Sequence, residues 1–472
     1  MFESQLFTQF LVVLLLLIIG GHIWFLRARG LFFAFDPINY FWGGVLVIMV
    51  QQPLEYWDRL VSFMGNTAFW INVTMMGTLV GTIFIIIGYH LPHGPRFTER
   101  YIPKLPVRLD PIKLRICSFG LLLSGLYAYS ILFQSAGGFS TWIAVSRGGT
   151  DDLRVSQYVA LLSGVVPIAV AFYLICALRK PVFSGEKLLA WTLAFITWLW
   201  FVYLGSRSRT IVYMMMFVAI YYIVKKRNPS LLIFLAIVPS LWLITQYQAA
   251  YRGNFTNLSF NLDRVPAEEA MSIILPAALG GDELLREQKT SPGVEFNVAA
   301  TVVRLVPFEV SPSLGYDWLE FLTRPIPRRF WPGEKPYPAL VSWQPIYIRG
   351  QLTNSRAGNT DYVAGPAPGW TGYWWRLFGP LGMIIGGVYT GVFFRALREL
   401  YHADRNNASK ALLYMGLAPI GFMEAAATPF AWIVIFPLGW ILPNLILIWI
   451  CRKTERAGEA RAATNANAGA TA

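Results

Sequence analysis

Charge is what this chain has least of. Only 14% of its 472 residues are Asp, Glu, Lys or Arg, where a soluble protein carries roughly 25%. Most of the chain is therefore excluded from a water-facing surface. Cysteine is scarce as well: Cys117, Cys176 and Cys451 are the full set, each in or beside an apolar run. That leaves no disulfide framework and no metal-binding spacing. The first apolar run follows Glu3 with no basic segment ahead of it, so it reads as a retained helix and not a cleaved signal. The net charge of +13 is spread over many short loops, which excludes a nucleic-acid surface. No cofactor and no metal are expected, because no Asp-x-Asp pair or histidine cluster falls on the outer side.

What the chain does have is apolar length. It is 55% hydrophobic with a mean hydropathy of +0.48, and several runs reach the roughly 20 residues that cross a bilayer. The pattern predicts an all-α polytopic membrane protein with about eleven spans, near 6–26, 30–50, 66–90, 116–134, 159–178, 188–204, 211–224, 231–250, 373–394, 411–423 and 430–450. Every second connection is basic. Arg27 and Arg29, the Arg96–Arg115 loop, Arg179 to Lys187, Lys225 to Arg227, Arg395 to Lys410, and Arg452 to Arg456 alternate with poorer loops. The positive-inside rule then places the N-terminus outside and the C-terminus inside. Four parts follow: an N-terminal bundle over 1–250, a long outer segment over 251–372, C-terminal spans over 373–450, and an Ala-rich cytoplasmic tail over 451–472, expected to be disordered. Within the outer segment, Pro266–Leu279 and Ser313–Leu322 read as short helices on the membrane surface, the second with Leu314, Trp318, Phe321 and Leu322 on one side.

The outer face departs from its expected composition. Arg147, Arg154, Arg207 and Arg209 fall there, while lysine is confined to Lys289 and Lys335. Gly205-Ser206-Arg207-Ser208-Arg209-Thr210 reads as a turn between two spans, close to the headgroup plane. Arginine offers a planar fork of donors that matches phosphate oxygens, and generic surface charge does not account for arginine over lysine. The competing account is snorkelling anchors bound to headgroups. Arg324-Pro325-Ile326-Pro327-Arg328-Arg329-Phe330-Trp331-Pro332-Gly333-Glu334-Lys335 holds three more arginines on a proline-stiffened backbone beside Trp331 and Lys335. That combination suits a site that grips phosphates and stacks sugars, or one that pairs with Glu320 and Glu334. Arg252 and Arg376 flank the outer segment, at the mouth of the bundle. Arg252 serves a ligand or a structural carboxylate there. Arg376 follows Trp374 and Trp375 and reads more readily as an interfacial anchor.

Glycosyl transfer from a lipid pyrophosphate needs charge stabilisation of the leaving group, a base and a sugar platform. The arginines meet the first need. Histidine is excluded as the base, because His22, His90, His93 and His402 all map to the cytoplasmic half. A carboxylate remains: Asp361 leads, with Asp151, Asp152, Asp282 and Glu283 as competitors. Trp331, Trp343 and Trp370 are candidate platforms. Two acids lie within apolar runs. Asp36, ahead of Pro37, marks a polar site or caps a broken helix, and Glu424 is placed to pair with an outer arginine.

The order of these features resembles the oligosaccharide repeat unit polymerases, the Wzy-type O-antigen and exopolysaccharide polymerases. The similar elements are the Gly205–Arg209 turn, Arg324-Pro325-Ile326-Pro327-Arg328 with Trp331-Pro332 in the long outer loop, and Phe378-Gly379-Pro380-Leu381-Gly382 in the return helix. The resemblance implies a GT-C-like helical fold in the bacterial inner membrane. It also implies an undecaprenyl-pyrophosphate-linked donor and acceptor, and a chain-length-regulating co-polymerase as partner. Many relatives place an acidic residue and an asparagine before the Phe-Gly, where this chain has Tyr373-Trp374-Trp375-Arg376-Leu377; the resemblance thus carries no base to that position. Rival readings are an O-antigen ligase, which resembles a design with an outer histidine, a lipid-linked oligosaccharide flippase or exporter, and a structural subunit.

Overall fold

The computed structural model describes residues 4–101, 105–138, 162–203, 207–230, 295–323, 330–333, 338–350, 367–426 and 441–452, with single positions 142, 159, 326 and 336. The elements, in chain order, are α1 (Gln5–Ala28), α2 (Pro37–Val45), a π-helical turn (Leu46–Gln51), α3 (Gln52–Glu55), α4 (Trp57–Phe63), α5 (Phe69–His90), α6 (His93–Tyr101) and α7 (Pro111–Ser135). There follow α8 (Val166–Arg179), α9 (Glu186–Tyr203), α10 (Arg207–Lys225), α11 (Glu295–Leu305), a 3-10 turn (Tyr316–Trp318), α12 (Leu319–Thr323) and α13 (Pro338–Arg349). The chain closes with α14 (Gly369–Phe378), α15 (Leu381–His402), α16 (Ala408–Leu417), α17 (Ile420–Ala426) and α18 (Leu442–Ile450). No strand occurs among the described residues.

Four of these helices, α1, α5, α7 and α15, are long and apolar enough to cross a membrane. Their burial separates centre from rim. The apolar windows of α5 and α15 are 56% buried, those of α1 and α7 only 33% and 28%. The outward residues of α1 and α7 include Leu17, Trp24, Ile116 and Tyr127, all exposed. Such a face is stable only against lipid or another apolar surface.

The central pair meets backbone to backbone. A Cβ added at Gly391 would stand 2.2 Å from the Ile85 carbonyl oxygen, so only glycine permits this approach. Small-residue seams of this kind are how helices associate where no hydrophobic driving force exists between them. Thr78 adds a buried hydroxyl contact of 2.9 Å to Thr371 on α14.

The predicted ninth span, 373–394, is not one helix. α14 ends at Phe378, Gly379 turns the chain at φ +62°, and Pro380 leads into α15. The reason is local: Gly takes a backbone conformation that side chains resist, and Pro has no N–H to continue a helix. Gly382 then lies so close to α14 that a Cβ would stand 1.9 Å from the Trp374 carbonyl oxygen. The two helices form a hairpin. The second predicted span starts only at Pro37 and runs on through a π turn to Glu55, and the tenth is broken, stopping at Leu417, before Pro419. The eighth, 231–250, lies outside the described residues, as does Pro266–Leu279.

The connections read as cytoplasmic gather at one end, here called the basic end. Thr98 donates to the Ala396 carbonyl at 2.9 Å, Tyr401 to Ile223 at 3.2 Å, and the Asp110 N–H to Cys451 at 2.8 Å. Among the described residues, the connection after α2 and the long segment, both read as outer, meet at the opposite end, here called the far end. There the Gln52 amide donates to Glu295 at 2.8 Å and accepts from the Phe296 N–H at 2.9 Å, fixing the start of α11.

Candidate functional site

The far end includes described pieces of the long segment that was expected to lie outside the membrane. α11 and the start of α14 (Gly369–Gly372) are instead packed into the bundle with the rest of α14. Phe296 to Val303 are buried throughout, as are Gly369 to Leu377. The two helices touch at Ala299 and Gly372, where a Cβ on the glycine would stand 3.1 Å from the Ala299 Cα. A run such as Val298-Ala299-Ala300-Thr301-Val302-Val303 has a residue type that permits burial on all sides. Its position among charged, Pro-rich neighbours hides that in the sequence.

Arg376, on α14, is 5% exposed. Its Nε and one terminal nitrogen donate to the Ser342 carbonyl at 3.3 and 2.8 Å, and the other terminal nitrogen donates to the Ser311 carbonyl. The backbone of α14 answers in kind: the N–H groups of Ser313 and Leu314 donate to the Arg376 and Leu377 carbonyls at 3.0 and 2.9 Å. Arg376 therefore ties α13 and the segment after α11 to α14. The expectation of an anion partner or an interfacial anchor gives way to protein carbonyls, because a guanidinium can be satisfied by them without a carboxylate. Trp374 and Trp375 are likewise buried and do not form an interfacial belt.

Asp317 is fully buried beside it and accepts from the Trp343 indole N–H at 3.1 Å. Its charge acts on that of Arg376. Trp318 donates to the Tyr373 hydroxyl at 3.1 Å. Trp343 stacks on Tyr373 with ring centres 6.4 Å apart, and Trp370 donates to Thr390 at 3.0 Å. Trp343 and Trp370, read as sugar platforms, are thus core residues whose indole N–H groups are taken. Trp331 is half-buried and follows Phe330, which is 63% exposed. The short helix around Ser313–Leu322 is present as the 3-10 turn and α12, with Leu314 and Leu322 exposed.

Arg207 and Arg209 lie in the first turn of α10, not in a connecting turn. The other end of α10 reaches the basic end, where the Ile223 carbonyl accepts from Tyr401. The two arginines therefore start this helix at the far end. Arg147, Arg154, Arg252, Arg324, Arg328, Arg329, Lys335 and Asp361 lie outside the described residues.

Two acids distinguish the ends. Asp36, at the basic end, sits just ahead of Pro37 without capping α2. Its carboxylate accepts from Arg398 at 3.1 Å and Tyr414 at 2.7 Å, and lies 3.0 Å from the His402 ring nitrogen. Glu424, on α17, is 6% exposed. Among the described residues it has neither a hydrogen bond nor an ion pair. The expected outer arginine partner is not among them. A carboxylate held in the middle of a spanning segment costs about 2.5–3.5 kcal/mol on insertion scales. An acid within Ile420-Gly421-Phe422-Met423-Glu424-Ala425-Ala426 is the sequence signal for such a group. Asp317 had no such signal, since its burial depends on Trp343 from another helix.

Among the described residues no group of three or more His, Cys, Asp or Glu side chains could hold a metal ion. No family model, curated protein or solved structure matches this chain.

Proposed function

We propose that this protein polymerises lipid-linked oligosaccharide repeat units. It acts in the bacterial inner membrane, on a GT-C-like frame of about eleven spans, with its site facing the periplasm. The observation that carries the reading is the placement of Arg207 and Arg209 at the start of α10, at the end opposite the basic loops. Cations at a helix N-terminus oppose its dipole. An anion bound there relieves that conflict, because the free N–H groups and the guanidinium forks both favour phosphate oxygens.

In the reaction, an acceptor sugar hydroxyl of a new lipid-linked unit attacks the anomeric carbon of the growing chain. The new glycosidic C–O bond forms as the anomeric C–O bond to undecaprenyl pyrophosphate breaks. Arg207, Arg209, Arg324, Arg328 and Arg329 take the charge that collects on the leaving pyrophosphate. Arg147, Arg154, Arg252 and Lys335 hold the second lipid-linked unit, and Trp331 stacks its sugar. Arg376 positions this machinery by tying Ser311 and Ser342 to α14. Asp361 receives the hydroxyl proton. Membrane lipids surround the bundle, and a chain-length-regulating co-polymerase is the expected partner.

The test is reconstitution with lipid-pyrophosphate-linked repeat units, without nucleotide sugar or metal. A ladder of longer chains that vanishes in Arg207→Ala supports the reading; a ladder indifferent to that change removes the arginines from it. One observation favours a second reading, transport of the lipid-linked unit: Glu424 places an acid inside the bundle, as a carrier would. Movement of the unit across the vesicle bilayer without a ladder would establish that instead.

A further inference from the structure

Glu424 is a buried acid that the proposed chemistry does not use, and among the described residues it has no hydrogen bond or ion pair. Its depth can be read from its neighbour. Ala425 packs against Gly44, where an added Cβ would stand 2.5 Å from the Ala425 Cβ. Gly44 lies on α2, which rises from Asp36 at the basic end and continues through the π turn to Gln52 at the far end. Glu424 is therefore midway between the two ends. α17 is held there closely: a Cβ on Gly421 would stand 1.8 Å from the Pro37 carbonyl oxygen, and one on Gly369 would stand 3.1 Å from the Ala425 carbonyl oxygen.

The groups that face it are mostly neutral. Tyr373 on α14 and Tyr389 on α15 both feel its charge. Tyr40 is the titratable residue of α2, and its hydroxyl lies 3.4 Å from the Met215 carbonyl. Tyr213 is the buried tyrosine of α10. Other charged groups of the described core are committed elsewhere. Arg376 is bound to Ser311 and Ser342, Asp317 accepts from Trp343, and Arg398 is paired with Asp36. Without a described counter-ion, an ionised carboxylate here bears an uncompensated charge. Tyr389 itself is 45% exposed, in line with the exposed Leu381 and Ile385 of α15.

We propose that Glu424 is a proton-binding site inside the bundle, whose carboxylate takes up one proton to give the neutral acid and releases it when pH rises. The inference does not depend on polymerisation, and it holds equally for a chain that moves its lipid-linked unit.

Infrared spectroscopy of the protein in lipid nanodiscs tests it. The expected result is a carboxylic-acid C=O band that shifts in deuterated water, loses intensity as pH rises, and regains it when pH is lowered. The band is absent in Glu424→Gln and displaced in frequency in Glu424→Asp, which identifies it even if the glutamine variant does not fold. A Glu424 that shows only ionised-carboxylate bands at every pH overturns the proposal. So does an acid band that no pH change alters while the protein stays folded. Thermal unfolding gives an independent reading. Glutamine mimics the neutral acid, so Glu424→Gln is expected to melt at or above the wild-type temperature. A fall of many degrees would instead mark a structural ion pair.

Discussion

The two ends of the bundle handle buried polarity in opposite ways. At the basic end each buried charge meets an opposite charge. Asp36 takes Arg398 and His402, and Glu186 takes Arg115 through a two-pronged contact of 2.6 and 3.1 Å. Arg395 and Glu399 add a half-buried pair at 2.8 Å. At the far end, buried polar groups meet backbone carbonyls and indoles, as Arg376 and Asp317 do. Midway between them stands Glu424, with no described partner. Closed ion pairs join loops and leave little to bind with. Among the described residues, the far end holds its buried polar groups by carbonyls and indoles where the basic end uses ion pairs.

The comparison can be broken at its strongest point first. Asp36→Ala leaves Arg398 and His402 buried without their acid, and losing one partner of a buried pair costs about 3–5 kcal/mol. Denaturant unfolding in detergent is expected to show that loss, and an unchanged midpoint would mean that the basic end is not held by charge. Arg207→Ala should do the reverse: little change in melting, but a fall of about 10²–10³-fold in polymerisation rate, the scale seen when one charge-stabilising donor is removed. Arg376→Ala strands the Ser311 and Ser342 carbonyls and should cost about 1.5–3 kcal/mol. Limited proteolysis within 311–342 should accelerate at the same time.

The smallest effect concerns pH. The Arg115 guanidinium holds the Glu186 carboxyl below the usual carboxylate range. A depressed folded value means that its stabilisation is complete above the unfolded value, about pH 4.3, and is lost as pH falls through the folded one. Melting temperature should therefore be insensitive to this pair near neutrality and fall in acid. In Glu186→Gln that acid-dependent part of the fall should disappear.

Some of this was readable in the residues alone. Hydropathy placed α1, α5 and α7, because a run of apolar residues in lipid has to satisfy its own backbone, and a helix does so. Alternating basic loops anticipated which connections meet at one end. The absence of histidine at the far end also followed: His22 and His90 rings lie 5.4 Å apart at the basic end, near Arg395 and Arg398. The Gly379-Pro380 break was written in the dipeptide, but the unbroken hydropathy across it concealed the hairpin.

Other features lay beyond any local pattern. Nothing near Asp36 announces Arg398, His402 and Tyr414, which arrive from 362, 366 and 378 residues away. Nothing near Arg376 distinguishes a phosphate-gripping arginine from one spent on the carbonyls of Ser311 and Ser342. The burial of α11 depends on Gln52 and Gly372, each from a distant segment. By itself the sequence determined that this chain lives in a membrane as helices, since composition and run length are local and additive. Which arginine is free, which acid is paired and which is left alone was decided only by tertiary structure, because a charge in a low-dielectric interior is defined by the groups that reach it.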